Sequence, residues 1–356
     1  MKILHVLPSA ARGGIETNCY YFIKATPEFH HNVVVLNDGG PMVEKWKSLT
    51  VAVLVLDIQG LPTSQFRRKL ASLLPPPPYD IVISWSNNRM PIVLNALRKY
   101  EKSRVLVHIG NPVDLSFTSS VKLKVQEFLW APHKDVELRP VSSFVRDSLL
   151  ASSYYRKFKM KVSLKPVEGK GLAPPPRMLS KASDVSLGMV ARLDSIKDHT
   201  TAIKAFSILV KSYPKATLHL AGDGDERGNI QALVRTLELD SHVIFHGDVA
   251  DVGSLISKWD LFVYATTTRE GLGGTVPEAL AVGVPVVATD LPMVREWDKE
   301  GRYVRWSNYS DPQSMADVAS AVLLDFAFRR FVYENGPTYI SSHFSPREFA
   351  TRYISV

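Results

Sequence analysis

The pattern that most constrains the fold is a regular alternation of two kinds of segment. Short apolar runs rich in β-branched residues alternate with stretches whose apolar residues recur at helical spacing. The runs are continuously apolar, which is typical of strands buried on both faces. The predicted strands are Lys2–Leu7, Val33–Leu36, Val51–Leu56, Asp80–Trp85, Arg104–Ile109, Val136–Val141, Val185–Val190, Ala216–Ala221, His242–His246, Asp260–Tyr264, Val284–Ala288 and Tyr303–Trp306. Alternating strands and helices predict parallel sheets with right-handed crossovers, and so two doubly wound α/β domains.

Helical spacing of apolar residues predicts helices over 198–212, 229–239 and Pro346–Ile354. The first apolar run is predicted to be a buried strand rather than part of a signal peptide, because it is short, contains His5 and ends at Pro8. No run reaches the roughly 18 apolar residues that a membrane-spanning helix needs.

The chain has 356 residues, enough for two domains. The segment 165–176 is rich in proline and glycine, which interrupt helices and central strands. We therefore expect a first domain at 1–165, a second at 166–340, and a C-terminal helix within 341–356 that packs back toward the first domain.

Composition is that of an ordinary globular protein, with 45% apolar and 22% charged residues. Cys19 is the single cysteine, so no intrachain disulfide can form and a reducing compartment is expected. The net charge of +8 is uneven: residues 1–165 hold 23 Lys and Arg against 12 Asp and Glu, whereas residues 166–356 hold 20 against 23. The basic first half is compatible with anionic lipid, phosphorylated acceptors or nucleic acid as partners.

The strongest local signal is the glycine-rich segment Arg269–Ala281, which follows a predicted strand and opens a helix. Its glycines allow a ligand to approach the backbone, and the helix N-terminus favours phosphate. Glu270 and Glu278 flank this anion site. Thr275 and Glu278 also fit a capping box, so a helix cap and a ligand contact both remain open for Glu278.

A second group follows the first strand of the second half. Arg192 and Lys197 lie five residues apart at the carboxyl end of a predicted parallel strand, where two cations can clamp a diphosphate. The alternative is an exposed loop whose charges pair with Asp194 and Asp198.

Two further turns are glycine-rich. Leu220–Glu226 contains Asp223 and Asp225, a spacing that holds a divalent metal in some enzymes. An EF-hand is excluded because Arg227 occupies a ligand position, and a tight strand-to-helix turn is the simpler interpretation. Gly13 and Gly14 follow the first strand as an anion or sugar cradle, but they do not form the dinucleotide fingerprint, which disfavours a nicotinamide dehydrogenase.

His108 ends the predicted strand Arg104–Ile109. A lone histidine there is more often a core residue. Gly110 and Asn111 directly after it indicate a strand end, which raises the chance that His108 faces a cleft.

Together these motifs resemble the retaining nucleotide-sugar glycosyltransferases of family 4. The resemblance covers almost the whole chain and is densest over 185–297. Glu270 and Glu278 match the paired glutamates of that family, and Gly283–Ala288 continues the match. Ala191, where the family usually has glycine, and Lys165–Gly169, where it has Asn-Gly, are departures. The resemblance implies the GT-B fold, two Rossmann-like parallel-sheet domains facing a central cleft, with the acceptor bound by the first domain and the donor by the second.

The resemblance also implies roles for individual residues. Arg192 and Lys197 are expected to bind the donor diphosphate, Glu270 the transferred sugar, and Glu278 the ribose. The catalytic residues are then expected to be Glu270, His108, Arg192 and Lys197. Further substrate-binding positions are Gly13, Gly14, Gly222, Gly247, Leu272, Gly273, Gly274, Thr275 and Glu278.

The implied reaction moves a hexosyl unit from a nucleotide diphosphate sugar, with UDP favoured and GDP possible, to a glycan, lipid-linked or small-molecule acceptor, with retention of configuration. Because cations and amides stabilise the leaving diphosphate, we expect no metal and no cofactor. The main alternative is a sugar-nucleotide epimerase or glycosyl phosphorylase on the same fold. A basic nucleic-acid-binding protein is a more remote one.

The basic stretches Phe66–Leu74, Val121–Trp130 and Tyr154–Lys161 suggest peripheral attachment to the inner, anionic face of a membrane. Ordinary solvated helix faces explain them nearly as well. Nucleic acid is not an expected partner, because no recognised nucleic-acid motif is present. The expected setting is cytoplasmic synthesis of a polysaccharide or glycoconjugate.

Overall fold

The structure is a computed structural model that describes residues 1–87, 89–113, 135–169 and 171–355. It divides into two compact units, one formed by Met1–Pro166 with Pro346–Val356 and the other by Val167–Ser345. The division falls between Pro166 and Val167, in the proline- and glycine-rich segment.

The first unit is a parallel sheet of seven strands in the order β3-β2-β1-β4-β5-β6-β7. The strands are β1 Lys2–Leu7, β2 His30–Val35, β3 Ala52–Val55, β4 Ile81–Ser84, β5 Arg104–Ile109, β6 Val136–Pro140 and β7 Lys159–Met160. The described helices are α1 Gly14–Ala25, α2 Met42–Lys47, α3 Thr63–Leu73, α4 Met90–Ala96 and α5 Ser143–Leu150, with short 3₁₀ turns at Leu97–Lys99 and Tyr155–Lys157. Strand order reverses between β1 and β4, so the loop after β1 lies where doubly wound sheets bind ligands.

The second unit is a parallel sheet of six strands in the order β10-β9-β8-β11-β12-β13. These strands are β8 Ser186–Val190, β9 Thr217–Ala221, β10 Val243–Gly247, β11 Leu261–Tyr264, β12 Val286–Thr289 and β13 Val304–Ser307. The helices are α6 His199–Leu209, α7 Arg227–Thr236, α8 Val252–Ile256, α9 Val276–Ala281, α10 Pro292–Arg295, α11 Pro312–Leu324 and α12 Phe326–Phe344. Here the order reverses between β8 and β11, the two strands that precede the strongest sequence motifs.

Both doubly wound sheets were predicted, and all twelve predicted strands are confirmed within a few residues at their ends. Their burial explains the continuous apolar runs: Ile81–Ser84, Leu261–Tyr264 and Val286–Thr289 are buried at every position. The predicted sheet lacked β7, which is two residues long and only partly buried. Among the described residues, no helix is long and apolar enough to cross a bilayer.

The last helix, α13 Pro346–Ile354, belongs to the first unit and contacts α1. Tyr353 packs against Phe22 with ring centroids 6.0 Å apart. The buried Arg139 donates from Nε to the carbonyl of Tyr353 at 2.8 Å and pairs with Glu137 at 2.9 Å. An arginine at a helix C-terminus satisfies carbonyls that lack a partner within the helix, so Arg139 anchors α13.

Most apolar side chains of the described basic stretches pack inside the first unit. In α3, Phe66 and Leu70 are fully buried, although Leu73 is 45% exposed. Tyr154 and Tyr155 are buried as well. These side chains therefore pack in the core. The exposed cations beside them are Arg68, Lys69, Arg156, Lys157 and Lys159, whereas Arg67 and Lys161 are half-buried. The stretch Val121–Trp130 lies outside the described residues.

Candidate functional site

Two loops meet at the carboxyl edge of the second sheet, where strand order reverses. One follows β8 and the other follows β11. Asp198 donates its N–H to the carbonyl of Ala265 at 3.2 Å, and Thr267 donates to the carbonyl of Ile196 at 3.0 Å. These backbone bonds bring Lys197 and Glu270 together although they are 73 residues apart in sequence.

The carboxylate of Glu270 is surrounded by hydrogen-bond donors. Its Oε2 accepts from Nζ of Lys197, from the hydroxyl of Tyr264 at 2.8 Å, and from that of Thr266 at 3.3 Å. Its Oε1 accepts from the N–H of Gly271 at 2.9 Å and of Leu272 at 3.3 Å. An ionised carboxylate offers about four lone-pair sites, so five donors fill its capacity.

Burial and pairing act on this carboxyl group in opposite directions. Glu270 is only 8% exposed, and desolvation on its own raises the pKa of a carboxyl group. The charge and hydrogen bond of Lys197, with the bonds from Tyr264 and Leu272, outweigh desolvation and lower the pKa of Glu270 to about 2. Burial, with the adjacent carboxylate, raises the pKa of Tyr264 well above its usual value. Glu270 is therefore a permanent anion and Tyr264 a neutral donor.

Lys197 holds the centre of this arrangement. Its ammonium donates to Glu270 and, at 2.7 Å, to the hydroxyl of Tyr264. Because an ammonium carries three N–H donors, these two contacts leave one donor for a further acceptor. Lys197 can thus contact a phosphate oxygen without releasing Glu270.

The glycine-rich loop after Glu270 has its carbonyls fixed from one side. Nε1 of Trp297 donates to the carbonyls of Leu272 at 2.9 Å and Gly273 at 3.1 Å. Gly273 has a φ of +71°, and a Cβ there would lie 3.1 Å from Tyr264. Both the left-handed backbone and the close contact require glycine at this position. In the described part of the chain, the N–H groups of Gly273 and Gly274 donate to no acceptor.

Thr275 does not form the predicted cap with its side chain. It occupies the N-cap position of α9, but its hydroxyl donates to the carbonyl of Val190 at 2.9 Å and does not accept from a helix N–H. This bond joins the end of β8 to the start of α9. Glu278 lies half-buried in the first turn of α9, and its predicted role at the ribose stays a prediction.

Arg192 differs from Lys197 in its surroundings. Its side chain is 71% exposed and pairs with Asp194 at 2.8 Å. This ion pair is one of the two that the sequence allowed for an exposed loop. Asp198 instead caps α6 by accepting from the N–H of Thr201 at 3.0 Å.

Gly222 and Gly247 lie beside this site, at the ends of β9 and β10. Gly222 has a φ of +132°, and a Cβ there would lie 2.0 Å from the carbonyl oxygen of Ala191. Its N–H donates to the carbonyl of Gly247 at 2.7 Å. The glycine requirement comes from contact between two protein loops. The absence of a side chain at Gly222 lets the loop that carries Arg192 pass close to the end of β9.

In the acidic turn after β9, the carboxylate of Asp223 already binds neighbouring residues. Asp223 pairs with Arg227 at 3.0 Å and accepts from the N–H of Gly224 at 2.9 Å, and Asp225 is exposed. Within the described ranges, no three His, Cys, Asp or Glu residues are grouped so that they could hold a metal ion.

The predicted site residues of the first unit have contrasting surroundings. Gly14 begins α1, is exposed, and has open space where a Cβ would lie. A Cβ on Gly13 would lie 2.5 Å from Oε2 of the buried Glu16, which accepts from the hydroxyl of Ser9. His108 is only 1% exposed, its Nδ1 lies 3.4 Å from the hydroxyl of Tyr353, and burial lowers its pKa to about 4. In this structure His108 is a neutral core residue, and its catalytic role stays a prediction.

Three contributors to the site had no sequence motif of their own. Tyr264 and Thr266 were part of, or next to, a predicted strand, and Trp297 follows α10. The one available signal for Tyr264 and Thr266 was that they lie at, or just past, the end of a strand at the switch point. No local pattern marks Trp297.

Comparison with known proteins supports the importance of this region. Residues 178–338 match the family model described as glycosyl transferases group 1. Over 167 residues the chain is 26% identical to N-acetyl-alpha-D-glucosaminyl L-malate synthase of Bacillus anthracis, covering 47% of this chain and 43% of that protein. Over 102 residues it is 34% identical to poly(glycerol-phosphate) alpha-glucosyltransferase of Bacillus subtilis, covering 29% of this chain and 15% of that protein. The chain thus spans less than half the length of each of these relatives, and 32% of the length of EpsD of Bacillus subtilis.

Solved structures match almost the whole chain. HepE of Anabaena in complex with UDP and glucose superposes with a TM-score of 0.78 at 18% identity, covering 99% of this chain and 97% of that chain. TarM of S. aureus, in a complex that includes UDP, superposes with a TM-score of 0.78 at 11% identity over 99% of this chain and all of that chain. The protein therefore has the two-domain GT-B fold of glycosyltransferases, and its segment 178–338 is similar to glycosyl transferases group 1.

Proposed function

We propose that the protein is a retaining glycosyltransferase of family 4 that moves a hexosyl unit from a nucleotide diphosphate sugar to an acceptor hydroxyl. The observation that carries the proposal is the Lys197–Glu270 pair beside the glycine-rich loop, within the segment that matches a glycosyltransferase family model. The second unit binds the donor and the first unit binds the acceptor.

Lys197 and the loop amides stabilise the leaving group. As the bond between the anomeric carbon and the phosphate oxygen breaks, negative charge grows on the diphosphate. The remaining N–H of Lys197 and the amides of Gly273 and Gly274 are donors to such an oxyanion that are already in place, and the guanidinium of Arg192 joins them by leaving Asp194. Donors fixed in advance give a large stabilisation of a transition state, so the reaction needs no metal ion and no cofactor.

Glu270 acts mainly by positioning in this proposal. A sugar hydroxyl can reach its carboxylate only by replacing one of the five donors that it already accepts. The more economical role is to hold Lys197 and the loop amides in place. Its low pKa and filled acceptor sites also make it a poor nucleophile.

Front-face attack accounts for retention without an enzyme nucleophile. The acceptor oxygen forms a bond to the anomeric carbon on the side from which the diphosphate leaves. The electron pair of the broken bond goes to the phosphate oxygen, and the acceptor proton passes to an oxygen of the same diphosphate. Exclusion of water from the site limits hydrolysis of the donor.

The donor is proposed to be a UDP-sugar, with a GDP-sugar as the second choice. Solved structures with this fold include complexes with UDP and with UDP-glucose. The acceptor is a glycan, a lipid-linked molecule or a small molecule, since the relatives named above act on acceptors as different as malate and poly(glycerol phosphate). The proposed setting is polysaccharide or glycoconjugate synthesis in the cytoplasm, with the exposed cations of the first unit drawn electrostatically to an anionic membrane.

Product analysis tests the proposal. The purified chain is incubated with each nucleotide sugar and a panel of acceptors, and the released nucleotide and the anomer of the product are determined by NMR. An α-linked product from an α-linked donor supports the proposal. Isomerised nucleotide sugar identifies an epimerase, and cleavage that requires inorganic phosphate identifies a phosphorylase.

A pair of variants connects the activity to the site. We expect Lys197→Met to lower kcat by roughly a hundredfold or more, as loss of one oxyanion donor does. Lys204→Gln removes one exposed lysine on α6, outside the site, and should leave kcat unchanged. Equal activity of both variants would reject the assignment of Lys197.

A further inference from the structure

A second concave site lies on the other edge of the second sheet. A pocket of about 130 Å³ is lined by residues that precede β11 and β12, together with the proline-rich segment at the start of the unit. Its polar lining comes from Arg177, Lys258, Trp259, Asp260 and Arg329. The residues that precede parallel strands lie at the amino edge of the sheet, so this pocket is separate from the site after β8 and β11.

Two buried donors that line the pocket lack an acceptor. Arg329 is 2% exposed and Trp259 is 4% exposed. Among the residues that the structure describes, neither Nε of Arg329 nor Nε1 of Trp259 has a hydrogen-bond partner. An unsatisfied buried donor costs roughly 1–3 kcal/mol, and more when it is charged. Two residues of the pocket lining thus carry an unsatisfied buried donor, which favours a ligand that brings acceptor atoms.

The net charge of the pocket lining indicates the charge of that ligand. Three cations, Arg177, Lys258 and Arg329, face one anion, Asp260. The carboxylate of Asp260 is already occupied, accepting from the N–H of Ser186 at 2.9 Å and from its hydroxyl at 3.2 Å. Arg177 reaches Asp260 only at 3.4 Å. The lining therefore keeps an excess of about two positive charges.

Arg329 is the one buried cation among the three that line the pocket. Desolvation lowers the pKa of Arg329, an effect that the nearby Asp260 partly offsets and Arg177 reinforces. One of its terminal nitrogens donates to the carbonyl of Arg177 at 2.7 Å, which fixes the guanidinium beside the second cation. A guanidinium that is fixed in this way is suited to a planar or tetrahedral oxyanion.

The volume of the pocket limits the size of the ligand. The pocket holds many times the roughly 10–15 Å³ needed for one water, yet it falls short of the about 300 Å³ at which pockets for drug-sized ligands begin. The enclosed volume is therefore smaller than a site that surrounds a whole nucleotide sugar. A phosphate monoester carries about −1.5 to −2 charges at pH 7, which matches the excess charge of the lining, whereas a carboxylate carries one.

We propose that this pocket is a binding site for a small phosphate-bearing molecule, in which Arg177, Lys258, Arg329 and Nε1 of Trp259 donate to the phosphate oxygens. The proline-rich wall, Pro174–Pro176, offers no N–H donors and accommodates the carbon part of the ester.

Calorimetric titration of the full chain with inorganic phosphate at constant ionic strength tests the site. Saturable binding is expected, and Arg177→Gln and Lys258→Gln should each weaken it by about tenfold or more, the typical effect of losing a hydrogen bond to a charged group. These two exposed cations are the variants of choice, because truncation of Arg329 also removes a buried hydrogen bond and lowers stability.

Two matched variants separate the pocket from other sources of phosphate binding. Lys204→Gln removes the same charge at an exposed position on α6 outside the pocket, and Arg192→Gln removes a cation of the site at the opposite edge. Both should bind phosphate at the pocket as the parent chain does. No saturable binding, binding unchanged in Arg177→Gln and Lys258→Gln, or binding lost in Arg192→Gln would each overturn the proposal.

Discussion

The Lys197–Glu270 pair should be a strongly coupled contribution to the stability of the second unit. The perturbation is a cycle of three variants: Lys197→Met, Glu270→Gln and the double variant. Methionine keeps much of the length of the lysine side chain, and glutamine keeps the shape of the glutamate. Each single variant leaves one charge without its counter-charge in a nearly closed environment, whereas the double variant leaves neither.

The magnitude follows from burial and from the pKa of Glu270. The two side chains are 14% and 11% exposed, and removal of one partner of a buried pair costs roughly 3–5 kcal/mol. The pKa of Glu270 is about 2 against an ordinary value of 4.5, which corresponds to about 3 kcal/mol. We therefore expect each single variant to lose about 3 kcal/mol. The double variant should lose at least about 2 kcal/mol less than the sum of the two.

The assay is urea unfolding at pH 7, followed by tryptophan fluorescence and circular dichroism. Trp259 and Trp297 report on the second unit. The pair Arg330–Glu334 provides a control, since its side chains are 63% and 49% exposed. The same cycle at that pair should give a coupling below about 1 kcal/mol.

The dependence of stability on acid pH gives a second test, because the lowered pKa of Glu270 sets the direction of the change. A carboxyl group whose pKa is lowered by folding stabilises the protein fully above pH 4.5, and this contribution is lost as the pH falls toward about 2. In Lys197→Met, burial raises the pKa of Glu270, so that acid dependence should disappear. Strictly additive effects in the cycle, or an unchanged acid dependence in Lys197→Met, would refute the pairing.

Three further substitutions probe other parts of the molecule. Gly273→Ala should destabilise the second unit by about 1–3 kcal/mol, because Gly273 has a φ of +71° and a Cβ there would lie 3.1 Å from a ring carbon of Tyr264. The control Gly228→Ala, in a helix with open space around the position, should be neutral or stabilising. Thermal unfolding measures both effects. His108 has a pKa of about 4 in the fold and about 6.5 when unfolded, so it should contribute about 3 kcal/mol to the loss of stability as the pH falls from 6.5 to 4. Burial also lowers the pKa of His199 to about 4, so urea titrations across that range should show a loss that is smaller by about 3 kcal/mol in His108→Phe, but still present. Arg139→Met leaves Glu137 paired with Arg104 alone and the end of α13 without its anchor. Loss of these hydrogen bonds to charged groups should destabilise the first unit by roughly 1.5–3 kcal/mol, with faster hydrogen exchange in α13 than elsewhere.

Most of the fold could be predicted because burial on both faces leaves a visible trace in the sequence. Val185–Val190 and Arg104–Ile109 are continuous apolar or nearly apolar runs, and each became a strand. Strand β7 left no such trace, since Lys159 is exposed and Met160 only partly buried. A two-residue edge strand forms because a neighbour is available, and its own sequence does not specify it.

The site could be predicted in outline but not in its pairing. That Glu270 and Lys197 belong to one site was expected from the resemblance to family 4 glycosyltransferases, which assigns both residues to the donor. That they form an ion pair with each other depends on β8 lying next to β11, a tertiary fact. Trp297 was missed for the same reason, since it reaches the glycine loop from a separate segment. His108 shows the opposite case: a strand end indicated exposure, yet Tyr353 from the last helix lies against it.

The two cations of the candidate site differ in how much it costs to recruit them to a ligand. Arg192 is held by Asp194 in an ion pair that is largely exposed on the arginine side, and exposed pairs contribute about 0–1 kcal/mol. Exchanging that carboxylate for a diphosphate therefore costs little. Lys197 is held by a buried carboxylate whose release would cost several kcal/mol, so it must stay in place and use its third N–H. In the proposed reaction, the fixed Lys197 sets the position of the phosphate and the loosely held Arg192 closes on it. The surroundings of the two cations differ in the same way: the loop of Arg192 is bound by backbone hydrogen bonds from Ala191 to Ala221 and from Leu193 to Asp223, whereas the side chain of Lys197 is held by the pair itself.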